Sequence, residues 1–150
     1  MSNAVMIRSA VPGDAPALPG IFRQGEPAEF AERLSAPRPE SGTAYYVVEL
    51  DGKLAAAFAL TPLGGLAPGH PPRFLLHEIK LGRRFRGLGV PERVFAWLAE
   101  TMGTGQHVDL MVLGPTVDDP PLISDLGMVK AHHAFLWAAE KTSAVDGGAR

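Results

Sequence analysis

Apolar positions along this chain first alternate and then recur at helical spacing, in a definite order. Val5 to Ser9 reads as a short strand. Pro12-Gly13-Asp14 reads as a turn, and Asp14 suits the cap of a helix running to about Gln24, with Leu18, Ile21 and Phe22 as its apolar stripe. Pro27 suits the first turn of a second helix through Phe30 and Leu34. Ala44 to Leu50, rich in Tyr and Val, reads as a strand. Asp51-Gly52 is a tight hairpin signal, so Lys53 to Thr61 returns antiparallel. A stiff loop from Pro62 to Pro72 follows, of the length that often borders a site. Arg73 to Leu81 is the next strand. Val90 to Met102 is a helix, with Val94, Trp97 and Leu98 on its buried face and Pro91 in its first turn. Val108 to Leu113 is another apolar strand. Pro120 and Pro121 confine any helix in Asp118 to Leu126 to little more than one turn. Val129 to Ala138 alternates as a last strand, with Val129, Ala131, His133, Phe135 and Trp137 on one face.

The helix between the Arg73 and Val108 strands makes a βαβ crossover, so those two strands run parallel. The expected fold is therefore mixed, α+β or α/β. It has a mostly antiparallel sheet, a central parallel βαβ crossover and helices on both faces.

Composition narrows the classes without naming one. A chain of 150 residues suggests a single domain, here over 1–141, and the small polar stretch from Thr142 to Arg150 reads as a disordered tail. Apolar residues are 46% and charged residues 20%, with a net charge of −2, an ordinary globular profile without the basic excess of a nucleic-acid binder. With no cysteine there is no disulfide, thiolate metal site or cysteine nucleophile. The N-terminus shows no basic segment followed by an apolar core, and the longest apolar run, Leu54 to Leu60, is too short to span a bilayer. A soluble cytoplasmic protein is the expectation. The five histidines form no pair four apart on a helix, and His132 and His133 are adjacent on a strand and face opposite ways, so no metal site is expected.

The densest chemistry lies in Leu81-Gly82-Arg83-Arg84-Phe85-Arg86-Gly87-Leu88-Gly89-Val90, where a buried strand gives way to a helix. A helix N-terminus presents unpaired N–H groups and partial positive charge. Glycines let backbone amides approach an anion, and arginines supply donors to its outer oxygens. This is the chemistry of a phosphate-binding turn; the alternative is a solvated basic turn that binds nothing.

This order of elements, with the glycine turn after the fourth strand, resembles the GNAT superfamily of acyl-CoA-dependent N-acyltransferases. The family pattern there is Gln or Arg, two residues, Gly, one residue, then Gly or Ala, and Arg84-Phe85-Arg86-Gly87-Leu88-Gly89 matches it. Ile79-Lys80-Leu81 stands where the family has its apolar-x-apolar strand end, and Leu126-Gly127-Met128 where it usually has Leu-Gly-Phe. The resemblance covers about Met6 to Trp137. It implies that the turn from Arg84 through Phe85, Arg86, Gly87, Leu88 and Gly89 to Val90 cradles the pyrophosphate of acetyl-CoA. It also implies that Arg83 and Arg86 reach its phosphates, and that Ile79 and Leu81 pair with the pantetheine amides as an added strand. The fourth and fifth strands then splay to admit the acyl group.

Three departures follow from the same comparison. Pro91 stands where Gly is frequent, removing one amide donor. The tyrosine that often protonates the leaving thiolate aligns with Ile123, and the usual Asn after the fifth strand with Thr116. The C-terminal sheet is also short, and a second copy of the chain in a homodimer would complete it.

The implied reaction is acetyl transfer from acetyl-CoA to an amine. Such an amine, with a pKa near ~10.4, must lose a proton before it attacks. Glu78 is the candidate general base, the alternative being a structural salt bridge to a neighbouring Arg or Lys. His77 is a weaker candidate, because strict alternation points it to the face opposite Glu78. Tyr45 and Tyr46 alternate, so one faces the acceptor groove or both are structural. Phe95, Trp97, Phe135 and Trp137 read as packing, and Arg8, Glu29, Glu32 and Arg33 as solvated positions. No acidic run lies in Gly64 to Pro72 to recruit a polycationic acceptor. A non-catalytic acyl-CoA-binding module is the competing function.

Overall fold

A computed structural model describes residues 4–64, 66, 68–69, 72–102 and 109–112. Five strands form one sheet in sequence order: β1 (Val5–Ser9), β2 (Ala44–Leu50), β3 (Lys53–Leu63), β4 (Arg73–Leu81) and β5 (Asp109–Val112). The first four pair antiparallel, and β4 with β5 is parallel, as the expected crossover requires. Asp51 and Gly52 both take positive φ, 51° and 80°, the geometry that matches the twist of a two-residue hairpin.

Three helices complete the described architecture: α1 (Leu18–Phe22), α2 (Pro27–Ser35) and α3 (Val90–Met102). Consecutive β2 residues show that they cover both faces of the sheet. Val47 packs with Ala57 against Leu18 and Ile21 of α1, with Phe30 and Leu34 of α2 beside them. Its neighbour Tyr46 faces the other way. There it lies 5.2 Å from the Phe58 ring and 5.3 Å from Trp97 of α3. Leu76, Leu98, Val47, Val48, Val90 and Val94 are all fully buried, so one core closes on each side of the sheet.

The first helix differs from the pattern. The segment Pro12–Ala17 is a 3-10 helix, and only Leu18–Phe22 is α-helical. Pro16 and Pro19 lack the N–H that a continuous α-helix needs, and Arg23 ends the element at φ 61°. Asp14 is therefore not ahead of the helix but inside it, where its Oδ2 accepts the Val11 N–H at 2.8 Å. Arg8, read as solvated, donates to both Asp14 oxygens at 2.7 and 2.9 Å and to Glu49 at 3.1 Å. The pair ties the 3-10 segment to the sheet. These bonds hold the Asp14 carboxyl below its ordinary range, against the opposing pull of burial and with help from the Val11 amide. They also raise the Arg8 guanidinium.

β3 runs two residues beyond Thr61, shortening the loop, because Pro62 and Leu63 still pair with Phe74 and Arg73. The sequence readings at Thr116, Asp118 to Leu126, Val129 to Ala138 and 142–150 lie outside the described residues.

Candidate functional site

The glycine turn lies between β4 and α3. Gly82 continues the ladder, its N–H donating to the Ala55 carbonyl at 2.8 Å. One 3-10 turn, Arg83–Phe85, follows. Phe85 is buried and anchors the turn, while Arg83, Arg84 and Arg86 are exposed. The Arg84 guanidinium carbon lies 5.2 Å from the centre of the Phe85 ring, a cation–π contact that holds its stem down. None of the three arginines is in an ion pair among the described residues.

Gly87 and Gly89 both have φ 77°, a region that costs an L-residue about 1–2 kcal/mol. Gly89 caps α3, its carbonyl accepting the Arg93 N–H at 3.2 Å. Among the described residues the amides of Gly87, Leu88, Gly89 and Val90 donate to no backbone carbonyl. Successive free amides around left-handed residues form a concavity that suits an anion, and the positive end of α3 points the same way. Glu92, in the first turn of α3, is the one acidic residue there.

Beside this turn lies the end of β4. Among the described residues the parallel ladder to β5 runs from Arg73–Asp109 to Leu76–Val112, and beyond it His77, Lys80 and Leu81 pair with β3. Ile79 and Leu81, both half-buried, lie in this last stretch of β4. Opposite it, Ala57 pairs with Lys80 but Ala59 with His77, so β4 carries one extra residue. Glu78 sits in that bulge at φ 55°. The bulge interrupts the alternation from which His77 and Glu78 were assigned opposite faces. Glu78 is exposed and lines a groove, whereas Nε2 of His77 is bonded to Thr61 Oγ1 at 2.7 Å. Thr61 in turn meets Thr43, and Thr43 meets Ser41, at 2.7 and 2.8 Å. The alternative placing Glu78 in a salt bridge has no such bridge to support it among the described residues.

The groove has a volume of about 540 Å³ and runs between α1, α2 and the sheet. Both tyrosines border it, but the Tyr46 ring stacks on Phe58 and meets Trp97 edge-on, which gives it a packing role. Glu29 and Arg33, read as solvated, are exposed and also line the groove, with Phe22 and Phe30. Pattern reading did not assemble these residues, because they meet only when α1 and α2 fold onto β2 and β3. One local signal existed: Gly25, at φ 83°, lies so close that a Cβ there would be 2.9 Å from the Phe30 ring.

Among the described residues no helix is long and apolar enough to cross a membrane, and no three His, Cys, Asp or Glu side chains cluster as metal ligands. No family model and no curated protein matches the chain by sequence. Solved structures do match by shape. A transcriptional regulator from Bacillus halodurans C-125 is 15% identical, with a TM-score of 0.70 over 91% of this chain and 100% of its own. Glucosamine-6-phosphate N-acetyltransferase from Arabidopsis thaliana is 17% identical, with a TM-score of 0.68 over 91% and 99%. Ribosomal-protein-alanine N-acetyltransferase from Brucella melitensis biovar Abortus 2308 is 17% identical, with a TM-score of 0.65 over 91% and 100%. At such identities the likeness is one of fold, and the mixed sheet of the described residues, with its parallel β4–β5 pair, is GNAT-like.

Proposed function

We propose that this protein transfers an acetyl group from acetyl-CoA to an amine. The observation that carries the reading is the run of amides at residues 87–90 that, among the described residues, donate to no backbone carbonyl, at the start of α3 and next to the end of β4. Those amides, with Arg84, Phe85 and Arg86 ahead of them, suit a diphosphate, and Arg83 extends the basic rim. Ile79 and Leu81 suit the amides of an extended pantetheine arm. Thr116 joins this set by sequence position alone. The cosubstrate would supply a thioester-activated acetyl group.

The chain's own contribution begins with the proton. Glu78 sits on β4 at the groove, where a carboxylate can accept the proton of an incoming ammonium directly or through one water. The amine's C–N bond to the acetyl group forms as the thioester C–S bond breaks, and the nitrogen's second proton passes to water. Ile123, where a tyrosine often stands, offers no proton, so the sulfur leaves as a thiolate and is protonated by solvent. A thiol of pKa near ~8.5 is a fair leaving group without such help. Ile123 and Pro91 also favour a second reading, a non-catalytic module that binds acyl-CoA.

Thermal shift with acetyl-CoA, CoA and ATP tests the first half. A ligand of the folded state raises apparent stability, and the two CoA forms should do so more than ATP. Release of free thiol in the presence of an amine separates the enzyme from the binding module. Glu78→Gln should lower kcat about 100-fold while acetyl-CoA binding is unchanged. Unaltered turnover would remove Glu78 from the role.

A further inference from the structure

The groove walls carry a chemistry that selects the acceptor, and the following rests on the acyl-transfer reading. The sheet contributes the Glu78 carboxylate; α2 contributes the Arg33 guanidinium, one turn beyond Glu29. Among the described residues neither Glu78 nor Arg33 is in an ion pair or a side-chain hydrogen bond. Glu29 is different, because its Oε2 accepts the Glu26 N–H at 2.7 Å and so caps α2. The two charged groups of the lining that lack a partner among the described residues are therefore opposite in sign, one on β4 and one on α2. The apolar part of the lining includes Phe22 and Phe30, 5.4 Å apart and tilted by 31°, with Leu18 and Tyr45. A volume of about 540 Å³ is ordinary for a small organic ligand.

We propose that the groove accepts a compound with one amine, a ring-bearing apolar body and one anionic group, the ammonium meeting Glu78 and the anion meeting Arg33. The aromatic walls take the body of the ligand. A polycation such as a polyamine would leave Arg33 facing like charge, and the second carboxylate of the lining, Glu29, already has one oxygen engaged by the Glu26 amide. A plain arylalkylamine would fill the walls and leave Arg33 unused.

The test compares 4-(aminomethyl)benzoate, benzylamine and spermidine, by ligand-detected NMR with the full chain, free and with CoA. The first two differ by a single carboxylate. The benzoate should bind about two- to five-fold more tightly than benzylamine, the range of a solvent-accessible ion pair, and the advantage should shrink with salt. Arg33→Gln should erase that difference and leave benzylamine binding unchanged. Phe30→Leu, which keeps an apolar wall but removes the ring, should weaken both aromatic ligands. Equal binding of the two, an advantage that survives Arg33→Gln, or preferential binding of spermidine would each overturn the assignment. Thermal shift with acetyl-CoA runs in parallel. No response there sinks the acyl-transfer reading whatever the groove binds, whereas a clear response with the wrong amine preference sinks only the acceptor class.

Discussion

The glycine turn and the groove are neighbours along β4, yet they are built in opposite ways. The turn is contiguous: residues 82–90 contain its anchor, its arginines, its two left-handed glycines and its free amides. The groove draws on residues 10–34, 45–47, 57–58 and 78, brought together by two helices and three strands. A contiguous device keeps its chemistry if the strand before it and the helix after it form. An assembled one depends on every element that frames it. Generic binding of a common cosubstrate fits the first kind, and selective recognition of one acceptor fits the second. Mutations should therefore separate the two regions.

The largest separation is expected at the glycines. Ideal Cβ atoms at Gly87 and Gly89 meet open space, the nearest atom being Glu92 Oε2 at 3.9 Å from the latter. Alanine there costs backbone strain, about 1–2 kcal/mol per site, rather than a clash. The double change Gly87→Ala, Gly89→Ala should lower acetyl-CoA affinity by about thirty-fold or more, read by calorimetry, as the amides rotate out of register. Amine binding in the groove should be untouched. A loss at both sites would mean that the turn is not the self-contained device described here.

The opposite separation is expected at Asp14. It anchors the segment before α1, and α1 forms one wall of the groove. Asp14→Asn should cost about 2 kcal/mol in a denaturant titration, because a nearly buried side chain loses its charge-assisted bonds. Amine binding should weaken while acetyl-CoA affinity holds. The acid limb offers a second readout. The folded carboxyl titrates below its ordinary value, so its ionised form is the stabilising one. Its contribution is complete above pH ~4 and is lost as pH falls through the lower folded value. The variant should lack that part of the acid slope.

The same contrast explains what the sequence made legible. β1, β2, β4 and α3 follow the alternation and the helical stripe, and they occupy the expected residues. The parallel pairing of β4 and β5 followed from the crossover. The continuous helix from Asp14 failed because the apolar stripe at Leu18, Ile21 and Phe22 outweighed two prolines that in fact decide the backbone. Glu78 was singled out by its place on the strand, but the bulge that holds it has no glycine or proline to announce it. Glu29 and Arg33 were read as solvated because exposure is a local property, and they are exposed; that they also border a groove is a tertiary fact. Phe22 and Phe30 were visible as helix positions, but their mutual contact depends on the turn at Arg23 and Gly25.

The smallest expected effect concerns Glu92. The positive end of α3 attracts any anion, and in the free protein Glu92 sits in its first turn. That placement stabilises the helix, but it also sets a negative charge near the amides that a diphosphate would use. The two effects of Glu92→Gln should have opposite signs. The fold should lose a few tenths of a kcal/mol, while acetyl-CoA affinity should rise about two- to five-fold at low salt. The gain should fade as salt approaches 1 M, where the Debye length shrinks to about 3 Å. A drop in affinity would reverse the argument: Glu92 would then be holding the turn in its binding shape, and the glycine cradle would depend on a side chain outside its own nine residues.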